Sequence, residues 1–435
     1  MVLLLVMYKR RGGFIYNEAM EKMMIGSIVL GMSLVFGACG NQEGSSGESA
    51  NEITVSTWNY ETTPEFKALF EAFEKKTGIK VKAVDIASDD YDTKLTTMLS
   101  SGDTTDVLTM KNLLSYSNYA LRDQLVDQTE RIRELDTDAA EGTYEMYDID
   151  GKTYALPYRT DFWVLYYNKK MFDDAGIEYP ENLTWDEYED LAKKLSKNDG
   201  QVYGAYQHIW RSTIQAIAAD QNEANLVEPD YRFMADYYDR ALRMQKEGAQ
   251  MDFGTAKSTK VTYQSQFEEQ KAAMMYMGTW YMAGILANKE ANKTEVEWGI
   301  TAIPQKKKGE SVTTFGSPTA FAVNKNSKKQ KAAQEFIEFA ASEEGAKVLA
   351  GVGVVPSYRT DEIDQLYFNL AGMPTDEISK KAFSPDEIKL EFPIDTHGPA
   401  IDKILQEEHD LILVGDETPE KGTANMEKRV AAEKE

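Results

Sequence analysis

From Asn51 onward the chain alternates between strand-like and helix-like hydrophobic patterns, and this alternation restricts its fold more than any other feature. Ile53-Thr54-Val55-Ser56-Thr57-Trp58 is a short β-rich run. Thr63-Pro64 reads as a helix start with proline at the first helical position. Phe66, Leu69, Phe70 and Phe73 follow at i, i+3, i+4 and i+7, one apolar face of a helix. Thr77-Gly78 ends that helix, and Ile79 to Val84 predicts the next strand. Tyr91, Leu95, Met98 and Leu99 mark a second helix closed at Gly102, before a third strand over Asp106 to Met110. Strands and helices joined by short glycine-marked turns imply an α/β layer with a largely parallel sheet.

The pattern continues downstream. Asp150-Gly151 predicts a hairpin turn before Thr153 to Leu156, and Trp163 to Tyr167 a strong strand with a helix starting near Lys169. Thr184-Trp185-Asp186-Glu187 is a capping box, with Tyr188, Leu191 and Leu195 as the buried stripe behind it. A strand over Val202 to Gln207, a long helix over Asp230 to Glu247, and strands over Ala273 to Met277 and Glu297 to Ala302 follow. Ser327 to Ala341 is helical again, and the chain from Asp364 is helix-rich. A chain of 435 residues exceeds the size at which one core usually divides, so two domains are expected.

The first residues do not fit that pattern. Met23 to Ala38 carries no charge, follows Lys22 and ends in Gly37-Ala38. The run is short for a membrane span and suits the apolar region of a signal peptide over residues 1–38; an uncleaved single-span anchor is the alternative. Met20-Glu21-Lys22-Met23 would be an ordinary start, so Met20 is expected to be the true one. Cys39 is the single cysteine, which excludes an internal disulfide and a cysteine metal cluster. Gly40 to Ser49 is a polar, flexible tether, so residues 39–50 are not expected to join a core. Phe36-Gly37-Ala38-Cys39 resembles the lipobox of bacterial lipoproteins, with Phe36 where leucine or valine is usual. That resemblance implies a lipidated Cys39, with palmitate among its acyl chains, as the new N-terminus. Two or more acyl chains would hold it stably at a membrane.

Charge and chemistry narrow the function. The chain has 72 acidic against 48 basic residues, a net charge of −24, which makes it a poor partner for nucleic acid. The three histidines, His208, His397 and His409, stand in no metal-binding spacing. No nucleophile elbow and no phosphate-binding loop occurs, so no catalytic residue, metal or cofactor is assigned and the chain is not read as an enzyme. So many acids allow countless carboxylate pairs, which leaves a secreted polysaccharide-processing enzyme as an alternative. The 24 tyrosines and 6 tryptophans offer flat apolar faces with polar handles, suited to amphipathic ligands and equally to ordinary cores.

Several segments in order carry a family resemblance. Gly151-Lys152-Thr153-Tyr154-Ala155-Leu156-Pro157-Tyr158, then Leu165-Tyr166-Tyr167-Asn168-Lys169-Lys170-Met171-Phe172, resemble a signature of the family 1 extracellular solute-binding proteins, the maltose-receptor class of ABC importers. Gly176 and Thr184-Trp185-Asp186-Glu187 continue it, as do Ser101 to Val107 upstream, with Thr105 where proline is common. Ala272-Ala273-Met274, Gly278-Thr279-Trp280 and Phe336 to Gly345 extend it downstream, so the likeness covers residues 51–435. It implies a two-lobed, periplasmic-binding-protein-like α/β fold of type II, its lobes joined by a hinge crossed three times. The crossings are expected near Arg159 to Phe162, Thr313 to Ser317 and Leu366 to Pro374. Lobe 1 would comprise residues 51–159 and 317–365, and lobe 2 residues 162–312 and 372–435.

The resemblance further implies a monomeric, extracytoplasmic lipoprotein of the cell membrane. It would capture a carbohydrate, an oligosaccharide, in the interlobe cleft and deliver it to a permease pair with an ATPase. A ligand-sensing lipoprotein for a membrane kinase is a second alternative. Ligands of open α/β sheets bind beyond the carboxyl ends of strands, which selects the candidates. Trp58, ending the first strand, is either a platform for a sugar face or a core residue capping the sheet; Asn59 and Tyr60 follow it in the loop. Asp161 accepts ligand hydroxyls, with Arg159 beside it, or the two form a hinge pair. Trp280, after a strand and a glycine turn, is the foremost stacking candidate by resemblance, with Trp210 behind it. Lys111, with Asn112, follows the third strand, and His397 lies late in the chain in Asp395-Thr396-His397-Gly398. Trp163, Trp185 and Trp298 are expected in the core.

Overall fold

The computed structural model describes residues 51–135, 138–140, 143–197, 200–309 and 311–435. The expected signal segment, Cys39 and the tether therefore lie outside the described residues. Nine strands are formed among them: β1 (Glu52–Trp58), β2 (Lys80–Ile86), β3 (Val107–Met110), β4 (Leu156–Asn168), β5 (Tyr203–Ala205), β6 (Ala272–Gly278), β7 (Trp298–Thr301), β8 (Thr313–Val323) and β9 (Glu387–Leu390). β1 pairs in parallel with β2 and β3, and β3 pairs antiparallel with β8. β5 runs parallel to β6, while β4 is antiparallel to both β6 and β7.

Two strands belong to both ends of this arrangement. β4 pairs with β8 over Leu156 to Phe162, then with β6 over Trp163 to Tyr167 and with β7 over Leu165 to Asn168. β8 pairs with β9 over Thr313 to Gly316 and with β3 over Ala320 to Val323. The side chains sort accordingly into two apolar cores. The first holds Ile53, Phe66, Leu69, Phe73, Tyr158, Phe321 and Phe336. The second holds Phe162, Trp163, Tyr166, Tyr188, Met274, Phe315 and Leu405. The change of core falls between Tyr158 and Phe162 on β4, and between Phe315 and Ala320 on β8, at the two segments expected as crossings.

Between residues 346 and 355 the two cores alternate: Ala346, Ala350 and Val355 belong to the second, Leu349 and Val354 to the first. This stretch leads to a backbone pairing beside the first crossing: Thr160 N–H donates to Val355 O at 3.0 Å and Ser357 N–H to Tyr158 O at 3.0 Å. The following helix, Asp361–Phe368, already packs Ile363 and Tyr367 into the second core.

Local signals shape the helices. In Pro64–Thr77, the residues Phe66, Leu69, Phe70 and Phe73 are all buried, and Gly78 ends the helix in the left-handed region at φ 75°. Ahead of Trp185–Leu195 both halves of the capping box form: Glu187 Oε2 accepts the Thr184 N–H at 2.9 Å, and Thr184 Oγ1 accepts the Glu187 N–H at 3.3 Å. The turn at Asp150-Gly151 is closed by a bridge between Ile149 and Lys152, with φ positive at both central residues, as a tight hairpin turn requires. The long helix begins at Ala235, after a turn of 3₁₀ helix, and runs to Lys246.

Two predictions follow from this packing. Gly316 faces Phe162 across the β4–β8 ladder, and a Cβ there would lie 2.1 Å from Asp161 O. Backbone cannot yield as a side-chain tip can, so Gly316→Ala is expected to cost about 1–3 kcal/mol in urea unfolding; wild-type stability would refute the tight packing. His409 is fully buried, its Nδ1 3.0 Å from Tyr238 Oη. Burial, with Arg211 and Lys257 nearby, pushes its imidazole down to about 3. Its contribution is complete above the unfolded value near 6.5 and is lost as pH falls toward the folded value. The stability difference between wild type and His409→Gln should therefore change by about 1.4 kcal/mol per pH unit between roughly pH 6 and 4. A difference that stays flat with pH would show that the imidazole titrates normally.

Candidate functional site

The residues around the first crossing form a closed polar cluster. Strand alternation puts Arg159 and Asp161 on one face of β4. Arg159 Nη1 donates to Glu65 Oε1 at 2.5 Å, and Arg159 Nε lies 3.1 Å from Asp161 Oδ2. The second contact is an ion pair without hydrogen-bond alignment, because Nε has no aligned acceptor. Asp161 Oδ1 accepts from Thr279 Oγ1 at 3.1 Å, and Asp161 also accepts the backbone N–H of Trp280. Arg159, Asp161 and Glu65 are all buried. Burial opposes the charge on Arg159, but Asp161, Tyr158 and Glu65 outweigh it and hold the guanidinium protonated. Burial likewise raises the Glu65 and Asp161 carboxyls, with Arg159 pulling them back down.

On the first-core side the cluster meets Trp58. The Arg159 guanidinium lies 5.6 Å from the Trp58 ring and Lys111 Nζ 5.5 Å, so two cations attend one indole. Trp58 is only 7% exposed, with Phe66 and Tyr91 packed edge-on at 5.1 and 5.2 Å. It caps the end of β1 as a packed residue. Lys111 Nζ donates to Ser88 O at 3.1 Å and Ser88 Oγ at 2.9 Å; burial lowers its pKa, and Asp92 and Asp89 oppose that. Asn59 and Tyr60 do other work. Asn59 adopts φ 45°, and its Oδ1 accepts the Ser88 N–H at 3.0 Å, bracing the loop. Tyr60 stacks on Phe70 at 5.7 Å.

On the second-core side the cluster meets an aromatic group. Trp280 follows β6, and its ring lies across Gly278, where a Cβ would fall 1.8 Å from Trp280 Cζ3. Glycine is what lets the indole lie against the strand end. Trp280 packs edge-on to Trp163 at 5.5 Å and lies 6.3 Å from Trp210. Tyr263 hydrogen-bonds to Trp280 and sits 5.9 Å from Trp210. Burial pushes its hydroxyl up to about 12. His208 packs edge-on to Trp210 at 4.5 Å, its Nδ1 3.0 Å from Tyr206 Oη, and burial lowers it to about 4, so a neutral ring stands among the aromatics. Trp210 and Trp280 are half-buried, whereas Trp163, Trp185 and Trp298 are buried.

Of the expected residues, Trp58, Lys111, Arg159, Asp161, Trp280 and Trp210 are thus linked by direct neighbours. Asn59 and Tyr60 are not. His397 lies at the start of the helix Gly398–Leu413, its backbone N–H held by Asp395 Oδ1 at 2.7 Å. Sequence reasoning missed Glu65, Tyr263 and Thr279. Glu65 had a readable signal: it shares the stripe of Leu69 and Phe73 at i, i+4 and i+8, an acid on an apolar face. The arrangement offers half-buried ring faces beside polar groups whose charges are already paired.

Comparison with known proteins agrees with this architecture. A model of the family described as bacterial extracellular solute-binding protein matches residues 60–347, well over half of the chain. The diacetylchitobiose binding protein DasA of Streptomyces coelicolor is 28% identical over 359 residues, 78% of this chain and 82% of its own. An arabinooligosaccharide-binding protein of Bacillus subtilis is 25% identical over 348 residues, 77% of this chain and 79% of its own. Among solved structures, a sugar transporter from Rhizobium etli in an open conformation is 33% identical with a TM-score of 0.73, over 88% of this chain and 99% of that one. A substrate-binding protein from Listeria monocytogenes in complex with cycloalternan has a TM-score of 0.76 at 24% identity, over 88% and 98%. The fold is accordingly the two-lobed α/β fold of type II solute-binding proteins. By the span of the family match and the likeness to the Rhizobium etli structure, the chain belongs to the bacterial extracellular solute-binding protein family.

Proposed function

We propose that this chain is the solute receptor of an ABC importer, anchored outside the cell membrane through a lipid on Cys39. It captures a carbohydrate, an oligosaccharide, between its two lobes and hands it to a permease pair with an ATPase. The lobes correspond to the two apolar cores, and the crossing strands form the hinge between them. The observation that carries this reading is the position of Trp280. Its half-buried indole adjoins Trp210 on one side, while its own backbone N–H is tied to Asp161 on the other. A pyranose presents an apolar C–H face and a rim of hydroxyls, and a ring beside fixed hydrogen-bonding groups suits both. Because Arg159 is already paired with Glu65 and Asp161, the cluster favours an uncharged solute over an acidic one. The relatives named for diacetylchitobiose and arabinooligosaccharides support the same class.

A thermal-shift screen against mono- and oligosaccharides tests this. At least one neutral oligosaccharide should raise the melting temperature in a concentration-dependent way. Trp280→Ala should weaken that ligand about tenfold or more, equivalent to about 1.4 kcal/mol, while the unliganded protein melts as before. A response to peptides, polyamines or anions with none to any sugar would sink the carbohydrate assignment. For the anchor, Cys39→Ala should shift the protein from the membrane fraction to the soluble one. Unchanged membrane association would exclude a lipid on Cys39.

A further inference from the structure

The segment from Glu391 to Gly398 is shaped by the second core and yet touches the first. Its frame is fixed from its own side. Glu391 N–H donates to Gly316 O at 2.9 Å. The Arg211 guanidinium lies 5.1 Å from the Phe392 ring, and Arg211 Nε donates to Asp402 Oδ1 at 2.5 Å. Lys434 Nζ lies 3.4 Å from Asp395 Oδ2. None of these contacts involves a residue of the first core.

Three groups then meet across the cleft. Ile394 packs against the first core. Leu114, on the first-core helix Leu113–Leu121, packs in the opposite direction against the second core. A Cβ on Gly398 would stand 2.7 Å from Leu114 Cδ1, so the leucine methyl occupies the place a side chain at 398 would take. Apolar interdigitation thus joins the lobes directly, at residues distinct from Trp280 and Asp161.

We propose that residues 391–398 are a clasp that holds the lobes closed through the contacts of Leu114 with Gly398 and of Ile394 with the first core. This rests on the reading that the two lobes open and close, and not on the identity of the ligand. Its consequence is that the unliganded protein already populates the closed form. A ligand that binds only the closed form has its apparent affinity scaled by the closed fraction. Loosening the clasp therefore weakens every ligand by one common factor.

The test measures interlobe distances without ligand. Spin labels go on Lys67→Cys and Lys403→Cys, both exposed, in the full chain carrying Cys39→Ser. The parent should show a short-distance component. Gly398→Val, which drives a side chain into the Leu114 methyl, and Leu114→Ala, which removes the contact, should each deplete that component at least threefold at unchanged melting temperature. A parent with no short component, or Gly398→Val and Leu114→Ala variants that both keep the parent distribution, would overturn the clasp. If the distances shift as expected while no sugar stabilises the protein, the clasp stands and the carbohydrate reading falls.

Discussion

The antiparallel pairing of β4 with β8 is the constraint on which the rest of the molecule depends. These strands run unbroken from one core into the other, so the ladder that closes one sheet also begins the next. A loop at the same place would leave the relative position of the lobes to side chains alone. A paired ladder restricts it to bending and twisting of two strands, which is how a hinge can be both mobile and directed. The tight approach of Gly316 to Asp161 O shows how little slack the ladder has.

Placing ions in that ladder is costly by itself. A guanidinium and two carboxylates are buried together, and desolvation is the leading influence on all three. What offsets it is a set of partners drawn from distant parts of the chain: Glu65 from the first helix and Thr279 from the end of β6. Removing one member of such a group leaves the others charged and unpaired, which costs far more than the net worth of the pair. The cluster is therefore better understood as fixing geometry than as adding stability. It ties the end of β6, and with it Trp280, to the crossing strand.

Much of this was legible in the sequence, and the limits have physical causes. The stripe Phe66, Leu69, Phe70 and Phe73 and the capping box at Thr184 are local patterns, and each forms as read. β4 begins at Leu156, ahead of the strand read from Trp163, because its first part is stabilised by β8, far along the chain. The two backbone bonds that tie Val355 and Ser357 to β4 are announced by no local pattern. At the site, the strand-end rule selects Trp58 and Trp280, whereas Asp161 lies inside β4. It does not find Glu65, because under that rule 72 acids give no reason to single one out until Arg159 is seen beside it. Nor does it tell a half-exposed ring from a packed one: Trp58 and Trp280 look alike in sequence and differ in burial.

The shared strands also set the order in which this protein can be assembled. β3 needs β8 as its partner, with Val107 opposite Val323. During synthesis the amino-terminal half therefore emerges with an unpaired sheet edge, and its core stays incomplete until most of the chain has been made. Pairings of such long separation are slow to form, because the loop between them must be ordered first. Until β8 is made, the β3 edge stands open to pairing with other chains.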